Sequence, residues 1–187
     1  DRISYSAFYG CESLTTVTMP NTIKSIGGEA FRECFALNSI TMSDQLTDIG
    51  SLAFHDCASL QSITLPNTLT SLGWGAFCRA DLTSVTIPSS LTTIESRMFE
   101  DCKNLTSVTI PNSITSIGSS AFLRCESLES ISIPNSVKII ENSAFENCSS
   151  LKSINLPNTL TKIDYHAFYG CKALTSINIP GSITTIE

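Results

Sequence analysis

Eight phenylalanines set the period of this chain. Phe8, Phe31, Phe54, Phe77, Phe99, Phe122, Phe145 and Phe168 are separated by 23, 23, 23, 22, 23, 23 and 23 residues, and Phe35 alone lies outside the series. Self-similarity at a fixed period of roughly 20–50 residues marks a chain built from small units that bury their faces only against one another. The whole length therefore reads as one array, residues 1–187, rather than as ordinary globular domains.

Other positions keep the same phase. Six residues after Phe stands Leu (Leu14, Leu37, Leu60, Leu105, Leu128, Leu151, Leu174), followed three later by Ile or Val and two after that by Ile, Leu or Met. Pro comes next: all seven prolines occupy this one phase, and Ser43 takes it in the second copy. An aliphatic residue, a second one three later, often Gly, and then Ala-Phe complete the unit; residues 105–125 read LTSVTIPNSITSIGSSAFLRC. The β-branched L-x-x-I-x-I run suits a strand with one buried face. Pro has no N–H to extend a ladder, so it ends each strand at the same point, and the Asn or Ser after it suits a turn. The Phe-x-x-Cys segment fits one tight helical turn leading to the next strand. With a unit of this length no long helix fits as well. The expected fold is a β-rich repeat solenoid of about eight 23-residue coils, with parallel strands, short helical or 3-10 turns, and coils spaced about 4.8 Å apart.

The repeat L-x-x-I-x-I-P-x-x-I-x-x-I-G-x-x-A-F-x-x-C closely resembles the BspA-like leucine-rich repeat family of bacterial and protist surface proteins, and the resemblance runs through all eight copies. It implies a secreted or cell-surface location and an adhesin-like role toward host or matrix proteins; the family motif itself fixes no ligand residue. The sequence departs from the pattern at Ser43, at Met98 in place of Ala, and in the 22-residue fourth unit, and local geometry is expected to change at those points.

Cys11, Cys34, Cys57, Cys102, Cys125, Cys148 and Cys171 all lie three residues after a Phe, which places them in one parallel column. Parallel Cβ vectors match disulfide torsions poorly, so the column favours buried free thiols over one or more bridges. No C-x-x-C pair offers a zinc site. Cys78, directly after Phe77, stands apart; an inward orientation is weighed against an exposed, reactive one.

Nothing in the pattern supplies chemistry. His55 and His166 are five coils apart, about 24 Å by the strand spacing, and cannot share a site. Glu100 and Asp101 form a carboxylate pair, read here as solvated charge on a connecting segment rather than as a glycosidase dyad. There is no phosphate-binding or dinucleotide loop, and no cofactor, metal or catalytic residue is expected. A formal charge of −6 opposes nucleic-acid binding, which favours a basic stripe. No apolar run reaches the roughly 20 residues of a membrane span, and Asp1–Arg2–Ile3–Ser4 does not open as an export leader.

The outward strand positions carry the remaining information. Thr16, Ser39, Ser62, Ser84, Ser107, Ser130, Ser153 and Ser176 form one column, and Thr18, Thr41, Thr64, Thr86, Thr109, Ser132, Asn155 and Asn178 form a second. Such hydroxyls hydrate a sheet at little cost; they also offer a repetitive surface to a protein or glycan, with Ser62, Thr64, Ser84, Thr86, Ser107 and Thr109 as its centre. An ice-binding face is the remaining alternative. Few aromatic or Arg anchors accompany them, so binding would be modest and would gain from avidity. Tyr5, Trp74 and Tyr165 share one phase, and Trp74 is a candidate anchor. Asn104 and Asn147 are N-x-S/T sequons. Both ends fall in mid-repeat without capping units. The chain is expected to be part of a longer array, or else to stack end to end into filaments or a surface layer.

Overall fold

The computed structural model describes residues 1–186. Each unit makes one coil with three sides, and the coils stack in register. Strand pairing is parallel throughout, and paired residues are 23 apart away from the short unit: Thr16–Thr18 pairs with Ser39–Thr41, Ser84–Thr86 with Ser107–Thr109, and Ser130–Ser132 with Ser153–Asn155. These L-x-x-I-x-I strands form the first side, where hydroxyls and aliphatics alternate outward and inward. A second, lateral side carries two-residue strands. Arg2–Ile3, Ser25–Ile26, Asp48–Ile49 and Ser71–Leu72 make one sheet; Thr93–Ile94, Ser116–Ile117, Ile139–Ile140, Lys162–Ile163 and Thr185–Ile186 make another.

Pro opens the corner between the two sides, where its carbonyl accepts the N–H three residues on, as in Ile23 to Pro20 at 3.1 Å. Ser43 preserves this corner. Leu46 donates to its carbonyl at 3.1 Å, while its buried Oγ accepts the Gln45 N–H at 3.1 Å. A serine hydroxyl thus does locally what the pyrrolidine ring does elsewhere.

The third side holds the Phe residues and corrects one expectation. No helix or 3-10 segment forms there among the described residues. The residues two before and two after each Phe have positive φ instead, and these sixteen are all the positive-φ residues in the described chain. Alternate N–H groups turn back on their own coil, as in Cys57 to Phe54 at 3.3 Å. The others cross to the next coil, as in Phe54 to Ala76 at 2.8 Å and Asp56 to Cys78 at 3.0 Å. Each left-handed residue with a side chain costs about 1–2 kcal/mol. The inter-coil ladder gained in return is what a self-contained helical turn could not provide.

Inside, the eight rings form a single file, with neighbouring centroids 5.2–5.9 Å apart and planes within 16° of parallel. The six internal rings are fully buried. Gly50 and Gly73 allow the coils to close this tightly, because a Cβ on either would lie 2.4 Å from a backbone nitrogen of the preceding coil. Met98, replacing Ala, is also fully buried.

Candidate binding face

The thiol column is internal. All eight cysteines are free; Cys34, Cys57, Cys78, Cys102, Cys125 and Cys148 are buried, Cys171 is half-buried and Cys11 is exposed. Six thiols donate to the Phe carbonyl of the preceding coil at 3.1–3.2 Å, from Cys34 to Phe8 through Cys171 to Phe145. Burial pushes Cys34 and Cys171 up to about 11, and Cys57, Cys102, Cys125 and Cys148 well above the usual thiol value. Cys78 turns inward, and burial raises it to about 12. It follows His55 in the same column position one coil on, yet such a thiol carries no thiolate near neutral pH.

His55 Nδ1 lies 2.9 Å from Asp56, and desolvation lowers its pKa despite that carboxylate. His166 belongs to another coil, stacked between Tyr165 and Tyr169 at 3.8 and 4.8 Å. Glu100 and Asp101 are not the solvated pair expected from sequence. Glu100 is buried beside Arg97 at 3.3 Å and Arg124 at 3.6 Å, and Asp101 accepts both Nε and Nη2 of Arg124 at 2.9 and 3.1 Å. Both carboxylates are committed to an ion-pair ribbon along the Phe side, which the sequence hid because its members lie one coil apart.

All sixteen outward hydroxyl or amide positions of the strand side are exposed. Ser84–Thr86 and Ser107–Thr109 are paired so that Ser84 faces Ser107 and Thr86 faces Thr109. Ser62 and Thr64 behave differently. Residues 62–65 form no strand, and their backbone N–H and C=O groups make no hydrogen bond among the described residues. A cleft of about 410 Å³ opens beside them, lined by Ser62, Thr64, Ser84, Thr86 and Asn67 over a floor that includes Val85. A smaller cleft of about 290 Å³ lies on the other flank, lined by Thr41, Asp44 and Thr64. Four of the residues singled out in the sequence therefore meet in one place, with Ser107 and Thr109 on the adjoining strand. Trp74 lies apart from them, beyond the lateral strand, with Arg97 stacked 5.2 Å from its ring centroid.

The family model of the BspA type leucine-rich repeat region matches residues 1–126 and 71–187. The chain belongs to the BspA-type leucine-rich repeat family. Among solved structures, this BspA-type array is similar to a leucine-rich repeat protein from Bacteroides ovatus, with 35% identity and a TM-score of 0.94 over 98% of this chain and 48% of that one. The T. pallidum leucine-rich repeat protein is 32% identical, with a TM-score of 0.62 over 92% of this chain and 71% of that one. A leucine-rich cell surface protein from Faecalibacterium prausnitzii is 25% identical, with a TM-score of 0.50 over 98% and 63% of the respective chains. The chain thus spans about half the length of the Bacteroides ovatus protein. No curated protein matches it.

Proposed function

We propose that this BspA-type array is a non-catalytic binding module, secreted or displayed at a cell surface, which presents its hydroxyl-rich strand side to a host or matrix protein or a glycan. The observation that carries this reading is the convergence of Ser62, Thr64, Ser84 and Thr86 on one neutral cleft beside backbone groups with no partner. Unpaired main-chain donors and acceptors next to short hydroxyls offer directional hydrogen bonds at little reorganisation cost. Family membership and the cell-surface relative from Faecalibacterium prausnitzii support the location. With no aromatic anchor in the cleft, single-site affinity is modest and display in many copies supplies avidity.

The test is a screen of the chain against arrays of matrix proteins and glycans, repeated with Thr64→Trp, Thr86→Trp and Thr109→Trp combined. Retention of a ligand that the triple variant loses at least tenfold, with an unchanged circular dichroism spectrum, supports the reading. A blank screen, or equal binding by the folded variant, overturns it.

A further inference from the structure

The boundary between residues 60–81, which carry Phe77, and residues 82–104, which carry Phe99, is built unlike any other full-coil boundary. On the lateral side, the residue after each two-residue strand normally donates to the preceding coil. Gly50 bonds Ile26, Gly73 bonds Ile49 and Gly118 bonds Ile94, all at 2.8 Å, and Glu141 bonds Ile117 at 3.0 Å. The equivalent bond from Glu95 to Leu72 is absent, as is that from Thr92 to Thr70, and the lateral ladder divides here into its two sheets. The strand side is unpaired here too, as it also is between Ser39–Thr41 and residues 62–65 and between Ser107–Thr109 and Ser130–Ser132. The lateral break is therefore what sets this boundary apart and makes it the one where both sides lapse together; residues 62–65 face Ser84–Thr86 across the larger cleft. Thr83, bonded to Gln61, and Ser90, bonded to Leu69, still cross, as does the Asn104 amide, which donates to the Asp81 carboxylate where the Phe side leads into the strand side.

The Phe side holds. Gly75 donates to Ser96 at 3.0 Å, Phe77 to Met98 at 3.1 Å and Arg79 to Glu100 at 2.8 Å. Arg79 also sits between Asp56 at 3.8 Å and Asp101 at 3.9 Å, and Trp74 stacks on Arg97. The Phe77 and Phe99 centroids, 5.9 Å apart, are the most widely spaced pair in the file.

This boundary is also where the missing residue falls. Leu82 follows Phe77 by five positions instead of six, so the second tight turn, made elsewhere by bonds such as Leu60 to Cys57 and Leu105 to Cys102, has no counterpart at Leu82. Glu95 in the Gly phase is not sufficient, because Glu141 and Asp164 occupy that phase with the ladder intact.

We propose that this boundary is a hinge: the two parts of the array pivot about the Phe side, which stays latched, while the strand and lateral sides open and close and change the width of the 410 Å³ cleft. One latched edge beside two unlatched faces restricts motion to this axis. The apolar core continues across the boundary, so the swing is limited to what Leu65, Leu72, Val85 and Ile94 allow while remaining in contact with it. The inference stands whether or not the cleft binds a ligand.

The experiment is pulsed electron-electron resonance on the full chain with Cys11→Ser, which removes the exposed native thiol, and spin labels at Lys24→Cys and Lys138→Cys. These exposed lateral positions lie five coils apart across the boundary, about 24 Å by the coil spacing. A distance distribution broader than label rotamers account for is expected, narrowing at least twofold when one residue is inserted after Ala80. A single narrow peak in the uninserted chain overturns the hinge, whether or not the insertion variant folds.

Discussion

The Sγ of Cys57 donates to the carbonyl oxygen of Phe31, 26 residues earlier and one coil back, at 3.2 Å. That carbonyl also receives the Cys34 N–H at 3.3 Å. The bond explains why the repeat carries a cysteine and not simply a small apolar residue. The side chain must fit between stacked coils and also supply a weak donor to a carbonyl that the ring file shields from water.

Truncating a thiol should therefore cost more than its volume suggests. Cys125→Ala removes a fully buried sulfur and its bond to Phe99, and we expect a loss of about 1–2 kcal/mol in urea denaturation. The same change at exposed Cys11 should cost less than about 0.5 kcal/mol.

The thiols also set an alkaline limit. Folding raises Cys34 to about 11 and Cys78 to about 12, against roughly 8.5 for an unfolded cysteine. Above about 8.5 the unfolded chain has released protons that the native chain keeps, so native stability falls as pH rises toward the folded values; below 8.5 this contribution is complete. Denaturation midpoints measured from pH 7 to 10.5 should fall in the upper part of that range, and less steeply for a Cys34→Ala, Cys78→Ala double variant.

Position in the file should grade the value of each ring. Phe122→Ala, in a fully buried site stacked on both sides, should cost about 3–5 kcal/mol, whereas Phe8→Ala, with 41% of the residue exposed and one stacked neighbour, should cost less than half as much. Thermal and urea melts of the two variants give the comparison.

Close approach of the coils makes individual glycines intolerant of a side chain, although Glu141 and Asp164 fill the same phase in other coils. Gly73→Ala sets a methyl against the Ser51 backbone nitrogen and should destabilise by at least about 1–3 kcal/mol; Gly181→Ala meets nothing within 4 Å and should be nearly neutral. Equal melting temperatures would show that the stack is looser than described.

Much of this architecture was legible in the chain, for a simple reason: a side chain repeated every 23 residues reports its own environment eight times. The Phe file, the strand carrying Leu, Ile and Ile, the Pro corner and the outward hydroxyls follow from period and polarity alone. The geometry of the Phe side did not. Alternating left-handed residues such as Glu29 and Glu33 carry no Gly signature, because inter-coil hydrogen bonds impose their backbone conformation. The buried Glu100 likewise read as surface charge, since Arg97 lies on the same turn and Arg124 arrives from the next coil. The 22-residue spacing before Phe99 marked one flank of the open cleft in the sequence, but the loss of pairing at Ser62 and Thr64 on both flanks needed three dimensions.

Constant registration of the coils underlies the Phe file, the thiol column and the cleft alike, and an experimental electron-density map of the chain checks it without intermediate steps. It predicts all eight phenylalanine rings in one file, with adjacent centroids between about 5 and 6 Å and the widest step at Phe77–Phe99. An internal ring displaced from the file, or a regular ladder running through residues 62–65, would contradict it.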